Sequence, residues 1–108
     1  MKTIEGYKYF GYLRGMPYGQ DLCDETFDDY PIMETDEERP KLLLHLKQLT
    51  PALTSEPTYD LVTGKPLQGG MYEDGIYGFP TDFVHYYMRG IVGFPVEYMD
   101  YLRDMAVI

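Results

Sequence analysis

A stretch of this chain is written twice. Gly75-Ile76-Tyr77-Gly78-Phe79-Pro80-Thr81-Asp82-Phe83-Val84-His85-Tyr86-Tyr87 is matched fifteen residues later by Gly90-Ile91-Val92-Gly93-Phe94-Pro95-Val96-Glu97-Tyr98-Met99-Asp100-Tyr101-Leu102. Gly, Ile, Gly, Phe, Pro and Tyr recur identically, and the acid with its following aromatic recurs in kind. Each copy has the makings of a turn followed by a helix. Gly gives a sharp entry, Pro at the first helical position has its φ preset, the acid two residues on faces the positive end of the helix dipole, and an aromatic opens the buried face. Helices are therefore predicted near Pro80 to Arg89 and Pro95 to Met105, joined at Gly90, with Phe79 and Phe94 in the core. A period this short, present in two copies, falls well below the roughly 20–50 residues of solenoid repeats. The duplication reads as a local helix pair.

Three further elements can be placed. Met1 to Leu13 is an aromatic, glycine-punctuated run with Ile4, Tyr7, Tyr9 and Phe10, predicted as a strand that Gly15, Pro17 and Gly19 break. Leu42, Leu43, Leu46 and Leu49 make a helical stripe closed by Pro51. Thr35 and Glu38 have the spacing of a capping box at its start, with Pro40 favouring a later onset of regular helix. Ala52 to Pro57 is predicted as a loop, and Tyr59 to Leu67 as two short extended pieces around a Thr-Gly-Lys turn. Gly69-Gly70 is predicted to interrupt the chain before Met71 to Phe79. The resulting class is α+β: one domain over residues 1–108, with a small antiparallel sheet packed by three or four short helices that include the tandem turn-helix pair.

Charge narrows the function. The 108 residues carry a net charge of −9, and all of it lies between Asp21 and Glu38, where nine carboxylates occur without a Lys or Arg. The rest of the chain balances nine acids with nine bases. Charge concentrated in one segment makes a local field able to select a basic partner. Cys23, Phe27 and Tyr30 fall at i, i+4 and i+7, so an amphipathic helix ending at Pro31 is predicted, with Asp21, Asp24, Glu25, Asp28 and Asp29 on its outer side. On such a helix carboxylates stand about 5–6 Å apart and can imitate successive phosphates of a nucleic acid. Glu34, Asp36, Glu37 and Glu38 extend the acidic surface. The competing reading is a solvated, solubilising face. A cation site is disfavoured because the residue order of a calcium loop is absent.

Chemistry leaves few traces. Cys23 is the only cysteine, so no internal disulfide and no multi-cysteine zinc site is expected, and its acidic neighbours would raise its thiol pKa. His45 and His85 stand forty residues apart and suit structural or surface roles. Ser55, the only serine, lacks a nucleophile-elbow context. The glycines lack the order of phosphate-binding loops. No catalytic residue, metal or cofactor is expected. The acidic balance disfavours direct nucleic-acid binding. No apolar run of about 18 residues exists to span a membrane, and no secretory signal is seen, so a cytoplasmic protein is expected. Twelve tyrosines without tryptophan offer Tyr77, Tyr86, Tyr87, Tyr98 and Tyr101 either as core filler or as a recognition face.

The expected function is a small acidic inhibitor or decoy. Its partner would be a basic protein, such as a nucleic-acid-binding effector or nuclease, in the manner of anti-CRISPR, anti-restriction and nuclease-immunity proteins of phage or mobile elements. The alternative is a non-catalytic interaction or assembly module with a Tyr/Met-rich surface, with a homodimer as one form it can take.

Overall fold

Glu5 and Gly6 both adopt positive φ, 51° and 86°. Positive φ at both central residues is the type I′ requirement, so the N-terminal run folds into a tight hairpin of β1 (Lys2–Ile4) and β2 (Tyr7–Tyr9). The single strand expected over Met1 to Leu13 is thus two. The computed structural model describes residues 1–17, 19 and 21–108. After a long irregular excursion come α1 (Glu38–Gln48), β3 (Leu53–Tyr59), β4 (Pro66–Asp74), β5 (Tyr77–Pro80), α2 (Thr81–Met88) and α3 (Val96–Asp104). The strand order is β1-β2-β5-β4-β3.

The protein is α+β, but its sheet is mixed. Strand β2 lies parallel to β5, pairing Lys8 with Tyr77 and Tyr9 with Gly78, whereas the other neighbours are antiparallel. The all-antiparallel expectation failed because β2 and β5 are joined by most of the chain. A connection that long, carrying α1 and a hairpin, can return the strand in either direction.

Residues 53–57, expected as loop, belong to edge strand β3, and Gly69-Gly70, expected as a break, sit inside β4. Both corrections have one cause. The β3–β4 ladder shifts register between Ser55 and Thr58, and the bulging backbone passes over the glycines. A Cβ on Gly69 would lie 2.2 Å from the Glu56 carbonyl oxygen, and one on Gly70 would lie 2.5 Å from that of Leu53. Glycine inside a strand here marks close backbone approach, with no end of the strand. The Thr-Gly-Lys turn is present, with Gly64 at φ 73°.

The repeated segments enter their helices differently. Pro80 closes β5, paired with Met71, and both Pro80 and Pro95 are extended cap residues, at ψ 151° and 144°. Neither is the first helical residue, and the first copy runs from strand to helix without a turn. A preset φ suits the cap as well as the first turn, because neither position has an intrahelical use for the missing N–H. After α2, Gly90 takes φ 77°, and the N–H groups of Gly90 and Ile91 reach back to the Tyr87 and Tyr86 carbonyls, a Schellman closure. At the start of α1, Thr35 and Glu38 exchange the reciprocal bonds of a capping box, at 3.0 and 3.1 Å. Pro40 falls in the first turn of the regular helix, where no donor is missed.

All three helices cover one face of the sheet. Tyr77, Phe79 and Tyr72 point there, joined by Phe10, Phe83, Phe94 and Tyr98, and Phe10 stacks on Phe79 with centroids 4.9 Å apart. Tyr77, Tyr86, Tyr87 and Tyr98 are buried and Tyr101 is half-buried, so these rings are core and make no recognition face. On the opposite face Tyr9 and Met71 close over Gly78, and Ile4, Tyr7 and Leu53 stay exposed. Among the described residues no helix is long and apolar enough to cross a membrane.

Candidate functional site

The acidic segment, residues 21–38, is an irregular strap with one 3₁₀ turn, Phe27–Asp29. The predicted amphipathic helix is absent. In a helix, Asp21, Asp24, Glu25, Asp28 and Asp29 would form five like-charge pairs at i, i+3 or i+4, opposing it by about 1–2.5 kcal/mol in all. Glu25 also makes better bonds elsewhere. It is buried, with Oε1 accepting from the Gly11 N–H at 2.7 Å, and Oε2 accepting from the Met1 ammonium at 2.8 Å and from the Tyr30 hydroxyl. Each carboxylate oxygen is thereby satisfied, as a buried charge requires. Glu25 is accordingly not on the outer side, where the helical reading put it.

Further anchors hold the strap along its length. Phe27 packs edge-on against Tyr86, at 5.0 Å between centroids, and Tyr30 against Phe83 at 6.1 Å. The Gly93 N–H donates to the Tyr30 carbonyl at 2.7 Å. Glu34, its side chain 2% exposed, accepts from the Tyr87 hydroxyl at 2.5 Å and from Arg39 at 2.8 Å. Burial, then the Glu34 contact, pushes the Tyr87 hydroxyl pKa far up. Glu38 takes a two-pronged bond from Arg103, Nε to Oε2 at 2.8 Å and Nη2 to Oε1 at 3.0 Å, which with the Thr35 contact holds its carboxyl down at about 2.

Three of the nine predicted acids, Glu25, Glu34 and Glu38, are therefore spent inside the fold. The other six, Asp21, Asp24, Asp28, Asp29, Asp36 and Glu37, are exposed. Asp29 also caps its own 3₁₀ turn through the Thr26 N–H at 2.7 Å. Lys2 stands 3.7 Å from Asp24, and no other cation pairs with the six among the described residues.

The histidines lie apart from the strap, each against an aspartate. His45 Nε2 is 2.7 Å from Asp74 Oδ2, which also accepts from the buried Tyr98 hydroxyl at 2.6 Å. His85 Nε2 is 2.8 Å from Asp60 Oδ2. Asp60 is buried at the β3–β4 turn and also accepts from the Val62 and Thr63 N–H groups and from Arg89. Burial pushes its pKa up, but these hydrogen bonds and the Arg89 charge outweigh it and hold the carboxyl well below its usual value. Sequence reasoning missed Asp60 and Asp74. The available signal was an Asp opening each turn, before Thr63-Gly64 and before Gly75, where Asp side chains bond local N–H groups. Cys23 is half-buried, and burial followed by Asp24 raises its thiol pKa, opposite to what a nucleophile needs. No group of three or more His, Cys, Asp or Glu among the described residues is placed to hold a metal ion.

Compared with family models, with curated proteins and with solved structures, the chain matches none of them.

Proposed function

We propose that the protein is a non-catalytic decoy, docking its acidic strap on the basic surface with which a partner protein would hold nucleic acid. The observation that carries this reading is the division of labour among the nine acids. Glu25, Glu34 and Glu38 fasten the strap, and six carboxylates are left facing water. A segment anchored before binding loses little conformational freedom on docking, and a single-sign field speeds encounter with an opposite charge. Without a helix, the support is sign, exposure and anchoring, with no matching of phosphate spacing. Small acidic proteins of the anti-CRISPR, anti-restriction and nuclease-immunity kind are the functional class this suggests.

The test is competition. A panel of purified basic nucleases and nucleic-acid-binding effectors is assayed for DNA binding with and without the protein, at low salt and at about 150 mM, where the Debye length is about 8 Å. At least one member should lose its DNA. The variant with Asp21, Asp24, Asp28, Asp29 and Asp36 changed to Asn and Glu37 to Gln should lose that effect while keeping its melting temperature. Equal competition by the neutralised variant would overturn the reading. Interference that persists unchanged at high salt would favour instead an assembly module, for which Ile4, Tyr7 and Leu53 on the open sheet face are the exposed apolar residues.

A further inference from the structure

A cleft of about 380 Å³ opens where the β3–β4 turn meets the last turn of α2, lined by Asp60, Thr63, Lys65, Leu67, His85 and Arg89. Its electrostatics run against those of the molecule. Elsewhere Lys2, Lys8, Arg39 and Arg103 each face a carboxylate, while Arg14, Lys41 and Lys47 stand singly, with no salt-bridge partner among the described residues. Here Arg89, His85 and Lys65 gather about the single carboxylate of Asp60, whose oxygens already accept four bonds at 2.7–3.0 Å. A carboxylate offers about four lone-pair sites, so Asp60 has none left for Lys65. Lys65 is exposed and has no salt-bridge partner among the described residues.

Asp60 fixes its cations without consuming them. Among the described residues Arg89 donates through Nη1, at 2.7 Å, and its Nη2 and Nε donors make no bond, on a side chain that is 37% exposed. His85 is held through Nε2 and keeps Nδ1, with its side chain 36% exposed. The buried acid thus orients a planar donor fork and an imidazole, and Lys65 adds a mobile point charge from the turn. The Asp60 carboxylate offsets one positive charge and the carbonyl end of α2 adds a partial negative one, so Lys65 is needed for a net attraction. The Arg89 fork and the Lys65 ammonium can each take a different oxygen of a tetrahedral oxyanion.

We propose that this cleft binds the phosphate group of a small phosphate monoester, gripped by Arg89 and Lys65 with His85 at its side. Leu67 and Pro66 supply an apolar wall for the group that carries the phosphate. The site is separate from the acidic strap and does not depend on its role.

The test is an NMR titration of the intact protein with inorganic phosphate and with phenyl phosphate, against sodium chloride at matched ionic strength. The His85 imidazole and Arg89 Nε–H resonances should shift saturably with both phosphates, and phenyl phosphate should bind more tightly through the apolar wall. Lys65→Ala removes an exposed side chain with no salt-bridge partner among the described residues, so the fold should hold while phosphate affinity falls about tenfold, the value of one charged hydrogen bond. Lys65→Glu should abolish saturation. Absence of a saturable shift, an unchanged titration in Lys65→Ala, or an equal response to acetate would each overturn the proposal.

Discussion

Gly78 and Gly93 occupy the same place in the duplicated segment, and the structure assigns them opposite tolerances. A Cβ on Gly93 would lie 2.2 Å from the Pro31 carbonyl oxygen and 2.7 Å from the Ile32 Cα, both backbone atoms of the strap. One on Gly78 would meet the ring edge of Tyr9 at 2.8 Å and the Met71 methyl at 2.9 Å, ends of side chains that can turn away. Gly93→Ala therefore forces the strap outward and strains the 2.7 Å bond from the Gly93 N–H to the Tyr30 carbonyl. Overpacking costs about 1–3 kcal/mol and the bond about 1 kcal/mol, while alanine returns about 0.4–1 kcal/mol through the unfolded chain. The net loss is about 1–3.5 kcal/mol, or a melting temperature lower by roughly 5–20 °C in a domain of this size. Gly78→Ala should fall within about 1 kcal/mol of the parent. Urea unfolding of both variants measures the difference, and amide exchange at Gly93 and in residues 26–34 locates it. Equal costs for the two alanines, or a Gly93→Ala protein with parental stability and parental exchange at Gly93, would refute the account of how the strap is seated.

Two further outcomes follow from the buried polar contacts. Tyr98→Phe deletes the hydroxyl that donates to Asp74 at 2.6 Å while His45 stays, so chemical denaturation should report a loss near the low end of the range for bonds to charged groups, about 1.5 kcal/mol. Glu38 is held at about 2 against an ordinary 4.5, and a depressed carboxyl contributes stability that is full above the unfolded value and vanishes as pH falls through the folded one. Arg103→Gln should therefore narrow the difference between neutral and acid stability, chiefly between pH 4.5 and 2, whereas a parallel downward shift of the whole profile would assign Arg103 a role independent of Glu38.

What could be read in advance was local. The Thr35–Glu38 box, the Leu42 and Leu46 anchors of α1 and the glycine at the 60–65 turn follow from short-range spacing, and each is in place. The failures all involve partners distant in sequence. Gly69-Gly70 looks like a break until β3 is laid beside it, and Pro80 looks like a helix start until Met71 is found opposite. Glu25 looks exposed at helical spacing because the sequence does not disclose that Met1 and Gly11 come within 2.8 Å of it. The parallel register of β2 against β5, spanning nearly seventy residues, has no local signature either. The sign and location of the acidic surface were legible from composition. Which acids reach solvent was not.

That distinction bears on what the strap can recognise. In a helix, carboxylate positions follow the 3.6-residue period, and a partner meets a regular row of charges. Here they follow the anchors, so Asp21 and Asp24 lie before the Glu25 pin, Asp28 and Asp29 between the Phe27 and Tyr30 contacts, and Asp36 and Glu37 between Glu34 and Glu38. Exposed carboxylates held this close repel one another and add little to stability. Interspersed bases would relieve that repulsion, yet the segment contains none, although the other ninety residues balance their charges. Solubility alone is served equally well by scattered acids. A group of six in which, among the described residues, Asp24 alone has a cation beside it, and which three hydrogen-bonded acids pin in place, keeps a cost that a dispersed arrangement would avoid. A cationic surface laid against it would remove that cost, so in the proposed docking the repulsion within the strap would form part of the driving force.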